Sequence, residues 1–437
     1  MLSDPIVALA TPPGRAALAL IRLSGGGVFA LAARVLQPFH PESPRSVFRA
    51  RAAHPATGEP LDDVLAVCCP GPRSYTGEDV VEVSTHGGLL VPAGVVAGFV
   101  AAGARPALPG EFTRRAVLNG KLDLLQAEAT ADLIEAGAPA QRQRALHQLE
   151  RGLSHRLEGL RGEILELEAL IAYDIDFPEE DEGPVSGDRV ERAWRAARDR
   201  LARLLATAPE GERLREGALV VIAGPPNAGK SSLFNALLGR ERAIVTELPG
   251  TTRDAIEAPA VIEGFPFRLV DTAGLRDSDD RLERLGIEVS RRYLDAADLV
   301  VFCEERPGAR RDELLAACRA PVVFVRTKAD LSNDGGVSVV TGAGLPELKH
   351  RLAEAAFGGL VSLGDVEPVV TRERHRTALQ AALAELDAFR DARERGVDAA
   401  ATATHLRAAV GALEDLIGVV TPDEVLDRVF ARFCVGK

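Results

Sequence analysis

The sequence predicts a multidomain chain: an N-terminal α+β domain, an α-helical bundle, and a parallel α/β domain inserted between two helical segments. Three observations carry this reading. Short apolar runs alternate with Gly- and Pro-containing turns over residues 1–120. A leucine-rich stripe with three- and four-residue spacing follows within 121–216. From residue 217 to about 357 the pattern becomes strand–loop–helix, and over 358–437 it returns to helix.

In the first segment "IVALA", "ALALIRL", "DVLAVCC" and "DVVEVS" read as strands, and "PPG", "SGGG", "PGP" and "THGG" as turns. "LLVPAGVVAGFVAAG" reads as a helix despite Pro92. In the second, Leu146, Leu149, Leu153, Leu157, Leu160, Ile164, Leu167 and Ile171 form one apolar stripe on a single long helix. No single helix buries its own stripe, so an antiparallel bundle is favoured over a dimer seam. "DFPEEDEG" (176–183) breaks that helix and reads as a solvated loop, its carboxylates lacking metal-ligand spacing. "DRVERAWRAARDRLARLLA" is the next helix. Its Arg189, Arg192, Arg195 and Arg198 are interleaved with acids, which favours a solvated face over an RNA contact.

In the third segment "ALVVIAG", "FRLVDTAG", "DLVVFCE" and "APVVFVRTKAD" are apolar strands suited to burial on both faces. In the fourth, "RERHRTALQAALAELDAFRDA", "AAATATHLRAAVGALEDLIG" and "PDEVLDRVFARF" are helical.

The composition bounds the setting. The 437 residues suffice for roughly two to four domains, and the net charge of -12 argues against a polyanion binder over the whole surface. Five cysteines, an odd number without a metal-ligand pattern, point to a reduced compartment. The start has no signal-peptide order, and no apolar run is long enough to span a bilayer. A cytoplasmic protein is expected.

The chemistry lies first in "GPPNAGKSS" (224–232), which fits G-x-x-x-x-G-K-[ST] between a strand and a helix. Gly224 and Gly229 let the backbone curl, so that the N–H groups of Asn227, Ala228, Gly229 and the helix start face phosphates. Lys230 neutralises β- and γ-phosphate charge, Ser231 ligates Mg²⁺, and Ser232 follows at the helix N-terminus. "GTTRD" supplies Thr252 as a second Mg²⁺ ligand. In "DTAG", Asp271 holds the metal through water and the Gly274 N–H contacts the γ-phosphate, with Thr272 and Ala273 between them.

"TKAD" sets base choice: Asp330 accepts N1–H and N2–H of guanine, a donor pair that adenine lacks, so the nucleotide is GTP. Thr327 replaces the usual Asn, Lys328 follows it, and Ser338 opens "SVVTGAGL", where the Val339 N–H would meet guanine O6. Leu275 stands where a Ras-type protein has its water-positioning Gln. Hydrolysis therefore needs another group.

"ATPPGRAALALIRLSG" (10–25), "YTGEDVVEVSTHGG" (75–88), "PGEFTRRAVLNGKLDLLQAEA" (109–129) and "FCVGK" (433–437) together resemble the MnmE, or TrmE, family of tRNA-modification GTPases, nearly end to end and in the same order. The resemblance implies an N-terminal α+β domain that binds tetrahydrofolate and dimerises, a helical domain, and an inserted Ras-like P-loop G domain. It implies a homodimer that joins a flavin-containing partner, MnmG (GidA), in a heterotetramer or larger complex. FAD is on the partner only. The substrate is the wobble uridine of certain tRNAs, modified at C5 with a one-carbon unit from 5-formyl- or 5,10-methylene-tetrahydrofolate.

The family's folate positions fall here on Arg22, Glu82, Lys121 and Lys437. Its K⁺ site falls on Asn227 and on the loop "TELPGTT", with Thr246, Leu248 and Thr251 as ligands and Glu247, Pro249 and Gly250 between them. Its catalytic glutamate falls on Glu283. Two other readings remain open from the nucleotide motifs alone: an RNA-associated switch GTPase, and a folate enzyme for a small molecule with a regulatory GTPase. The "GEFTRRAVLNGKLDL" block and "FCVGK" argue against the first. Cys434 near that site invites a chemical reading, but a buried thiol in a packed C-terminal helix is at least equally compatible. Cys68 and Cys69 are expected in the core, and His86 in a loop-stabilising hydrogen bond.

Overall fold

The computed structural model describes residues 4–176, 187–239, 257–271, 292–305, 318–331, 335–363, 369–418, 423–431 and 433–437. The chain divides into two compact units, Met1–Ala131 with Ile417–Lys437, and Asp132–Leu416.

The first unit is built on a seven-stranded sheet. Its elements are β1 (Ile6–Leu9), β2 (Gly14–Ser24), α1 (Val28–Ala32), β3 (Leu36–Gln37), β4 (Phe48–Ala53), β5 (Pro60–Cys69), β6 (Val80–Gly88), α2 (Leu90–Ala101), β7 (Arg105–Pro106), α3 (Glu111–Leu118) and the start of α4 (Leu124–Glu135). The strand order is β3-β4-β5-β6-β2-β1-β7, antiparallel except for the β1–β7 pair.

Strand alternation divides the residues between the two faces. Ile21, Leu23, Val64, Ala66, Val81 and Val83 pack inward with Val95 and Phe99 of α2. Arg22, Glu82 and Leu65 alternate with them on the opposite face, and Arg22 lies directly across from Glu82. "THGG" is not a turn: the ladder continues through Gly88, which pairs with Gly14. The end of the chain completes this unit. Leu426, Phe430 and Phe433, on and after the final helix (Asp423–Phe430), pack with Val117, Leu124 and Ala127.

The second unit begins with α5 (Pro139–Leu149), α6 (Gly152–Asp176), α7 (Gly187–Ala206) and α8 (Ala208–Glu216). The leucine stripe is therefore split over two helices. Arg151 takes φ +66°, which ends α5 and restarts the helix. The His147 ring lies over Gly152, where a Cβ would come within 2.3 Å of it unless the ring moved. From Leu153 to Ile171 the stripe is buried, whereas Leu146 is exposed. Trp194 of α7 donates its indole N–H to the Leu386 carbonyl at 2.7 Å, joining the N- and C-terminal helical segments of this unit. Arg198 is ion-paired with Asp387 at 2.7 Å, and Arg195 with Glu191 at 2.8 Å.

A five-stranded sheet follows, with β8 (Ala218–Ala223), α9 (Lys230–Leu238), β9 (Glu257–Ile262), β10 (Phe265–Asp271), β11 (Leu299–Glu304) and β12 (Val322–Arg326). Its order is β12-β11-β8-β10-β9, parallel except for the β9–β10 hairpin. Every residue of β8 and β11 is buried, as both-face coverage requires. The unit closes with α10 (Leu345–Leu363), α11 (Glu373–Glu394) and α12 (Ala399–Ile417). The helix α10 is interrupted at Phe357, whose φ of −136° is non-helical. That ring is fully buried and stacks on Phe265 at 4.8 Å.

Candidate functional site

In the second unit the sheet brings the nucleotide motifs to one edge. β8 lies between β10 and β11, so the loop after it opens where the connections diverge to either side, a common ligand position in open α/β sheets. Gly224 takes φ +145°, and a Cβ there would sit 2.2 Å from the Cys303 carbonyl oxygen. Only glycine fits that approach. Asn227 is exposed with φ +61°, and Gly229 begins α9 with φ +76°. Ala228 is buried. Lys230 is also buried and donates to the Pro225 carbonyl across the loop at 2.9 Å. Ser231 and Ser232 are exposed in the first turn of the helix.

Asp271 ends β10 in register with Ile222 of β8. Burial pushes the Cys303 thiol up to about 12, so it is a packing group beneath the loop and not a nucleophile.

The base loop meets the phosphate loop through Thr327. This residue is buried, its N–H donates to the Glu304 carbonyl at 3.0 Å, and its hydroxyl donates to the Ala228 carbonyl at 2.8 Å. Lys328 has φ +58° and pairs with Glu305. Asp330 stands exposed on a short 3-10 turn, Ala329–Leu331. One of its oxygens accepts a hydrogen bond from the fully buried Ser338 at 2.7 Å. Thr246, Glu247, Leu248, Pro249, Gly250, Thr251, Thr252, Thr272, Ala273, Gly274, Leu275 and Glu283 lie outside the described residues. A cleft lined by Asp132, Gln141, Arg144, Gln148, Arg215 and Thr371 shares no residue with these loops.

In the first unit three of the four predicted N-terminal site residues meet. Arg22 and Glu82, on adjacent strands, form an ion pair at 2.7 Å. The Arg22 guanidinium lies 5.1 Å from the Tyr75 ring centre, and the Lys437 ammonium lies 5.7 Å from the same ring. Lys437 is docked by its backbone: its carbonyl accepts from the Phe112 N–H at 3.2 Å, and the Arg22 guanidinium donates to the Gly436 carbonyl at 3.4 Å. Burial, followed by the nearby charge of Arg22, holds the Lys437 amine below the usual lysine range, against the pull of Glu82. Lys121 is exposed and lays its stem against the loop: a Cβ on Gly77 would lie 3.2 Å from Lys121 Cγ.

Sequence reasoning missed Tyr75 as a wall of this site. It lies inside a quoted motif, and an aromatic beside a Thr-Gly turn was the available signal. The Tyr75 loop is clamped from below. The Ser24 hydroxyl lies 2.7 Å from both Thr76 Oγ1 and Glu78 Oε2, Arg115 pairs with Glu78 at 3.1 Å, and Asn119 donates to the Thr76 carbonyl at 2.7 Å. Cys434 is exposed and follows the last helix, which removes the buried-helical-thiol reading of the two the sequence left open. Cys68 is buried in the core but Cys69, on the other face of the strand, is only half-buried, and His86 bonds to Asp62 at 2.7 Å from a strand.

Together the sheet order, the glycine-dependent loop after β8 and the lysine at the start of α9 define a P-loop nucleotide-binding protein carrying a separate N-terminal α+β unit. The description "GTP-binding protein TrmE N-terminus" matches residues 5–121, and "MnmE helical domain" matches residues 124–434. The chain is 44% identical over 452 residues to the tRNA modification GTPase MnmE of Methylobacterium radiotolerans, covering 100% of this chain and 99% of that one. It is 42% identical over 452 residues to the Thermus thermophilus protein of that name, with the same coverage. Against that of Geobacter metallireducens it is 38% identical over 455 residues, with both chains fully covered. The chain belongs to the MnmE family of tRNA modification GTPases. Among the described residues no helix is long and apolar enough to cross a membrane.

Proposed function

We propose that this chain is a K⁺-stimulated cytoplasmic GTPase that works with a flavin-dependent partner of the MnmG type. Together they build a substituent at C5 of the wobble uridine of certain tRNAs from a tetrahydrofolate one-carbon unit. The observation that carries this reading is the convergence of Arg22 and Lys437 on Tyr75, with Glu82 paired to Arg22. The Tyr75 ring offers a face for a flat pterin. Arg22 engages one Glu82 oxygen, and a carboxylate has about four lone-pair sites, which leaves acceptor capacity for pterin N–H donors. Lys437 and Lys121 supply cations for the carboxylates of the glutamate tail.

In the second unit the P-loop amides and Lys230 receive the phosphates, and Asp330 selects guanine. Ser231 and Thr252 would hold Mg²⁺, with Asp271 nearby, and the ion would supply positive charge for the phosphates. Asn227, with Thr246, Leu248 and Thr251, would hold K⁺, which would supply further positive charge for the phosphates. Glu283 orients the attacking water that Leu275 cannot. The working layout is residues 1–120 for folate binding and dimerisation, 121–216 and 358–437 for the helical domain, and 217–357 for the G domain. Leu18 and Leu65, exposed on the outer face of the first sheet, support a homodimer.

Titrating the full chain with 5-formyl-tetrahydrofolate tests the central point. Saturable binding that Glu82→Gln weakens is expected. Absence of binding, together with normal wobble-uridine nucleosides in tRNA from cells lacking the gene, would overturn the reading.

A further inference from the structure

The Thr327 side chain faces the phosphate loop. Its hydroxyl carries one hydrogen, and that hydrogen is given to the Ala228 carbonyl at 2.8 Å. Guanine N7 is an acceptor, so Thr327 has no donor left for it. An asparagine amide has two N–H groups and can serve both partners. The exchange of Asn for Thr therefore keeps the contact with the loop and gives up the one with the base.

The contact with the loop has a directional consequence. A trans peptide sets its C=O and N–H on opposite sides. Holding the Ala228 carbonyl toward Thr327 aims the Gly229 N–H the other way, into the concavity that receives phosphate. Thr327 is well placed to fix this plane. It is buried, its own N–H is anchored on Glu304, and a Cβ on Gly229 would rest 3.6 Å from Thr327 Cβ.

We infer that Thr327 is a positioning residue for the phosphate cradle, with no hydrogen bond to the base, and that guanine recognition falls to Asp330 and the Ser338 loop. This rests on the P-loop being the GTP site.

Binding of GTP and of 7-deaza-GTP, which lacks the N7 acceptor, to the full chain separates the possibilities. The wild-type chain should bind the two alike. Thr327→Val should weaken both equally, by about 3- to 10-fold, the worth of one hydrogen bond. Thr327→Ser should restore both. Thr327→Asn should create a preference for GTP over 7-deaza-GTP that the wild-type chain lacks, and it decides the matter alone if the valine variant fails to fold. Wild-type affinity in Thr327→Val, or an N7 preference in the wild-type chain that Thr327→Val erases, would overturn the inference. A wild-type chain that binds neither nucleotide would instead defeat the assignment of the GTP site.

Discussion

The buried hydroxyl of Ser338 donates to Asp330 at 2.7 Å and in turn accepts the Thr341 N–H at 3.2 Å. One Asp330 oxygen is thereby fixed by a group that is itself fixed, and the exposed carboxylate is presented in one orientation. Asp330→Asn should lower GTP affinity at least about 10-fold, since a hydrogen bond to a charged group contributes about 1.5–3 kcal/mol. It should also shift preference toward xanthosine nucleotides. Ser338→Ala should cost only about 2- to 10-fold and leave base preference unchanged. Nucleotide titrations check both, and unchanged GTP affinity in Asp330→Asn would refute the role.

The backbone docking of Lys437 makes the last residues part of the N-terminal site. Deleting residues 434–437 should abolish folate binding and tRNA modification while GTP hydrolysis remains near wild type. Parallel assays of the two activities are the check; joint loss would indicate misfolding.

Glu283→Ala should leave GTP binding intact and lower kcat strongly in saturating K⁺, because no other residue is assigned to orient the water. Replacing K⁺ by Na⁺ should also slow hydrolysis, by up to about 10³-fold if the ion does the work of an arginine finger. Steady-state rates in matched salts measure both. Equal rates in the two ions would sink the cation site.

Acid should loosen the first unit through Asp4 and Glu111. The hydrogen bond from Arg105 holds the Asp4 carboxyl below its ordinary value of 3.8. Burial opposes the charge of Glu111, yet hydrogen bonds from Arg105, the Leu108 N–H and Arg115 hold its carboxyl below 4.5. Both groups have depressed folded values. The stability they contribute is full above the unfolded values, near 4, and is lost as pH falls through the lower folded values. Amide protection over residues 105–118, taken relative to the intrinsic exchange rate at each pH, should fall as pH drops below about 4.5. Glu111→Gln should show faster exchange at neutral pH and a shallower acid response.

The parts that were legible in the sequence are those where local chemistry dictates the backbone. Gly224 and Gly229 mark the phosphate loop: both take positive φ, and at Gly224 the Cys303 carbonyl leaves no room for a Cβ. The runs of β8 and β11 read as strands because both faces are buried. The break at Arg151 was not legible: the leucine spacing continues across it, and an arginine gives no sign of the positive φ it takes there. The motif marks Tyr75 only as an aromatic beside a turn; its role as a site wall depends on Arg22 and Lys437, distant in sequence, meeting on one face. The exposure of Cys434 likewise depends on how the last turn docks, which helical periodicity does not encode.

The first unit is closed by a segment that follows the whole of Asp132–Leu416. On a ribosome, Val117, Leu124 and Ala127 emerge long before Leu426, Phe430 and Phe433, their packing partners. At ordinary elongation speeds the interval is roughly 15–60 s, far longer than hydrophobic collapse takes. During that time an apolar patch on a nascent unit stands uncovered, and a chaperone that shields short leucine- and valine-rich stretches would have its opportunity there. Biosynthesis of this chain should therefore be most vulnerable to aggregation through its last two thirds, although the residues at risk belong to its beginning.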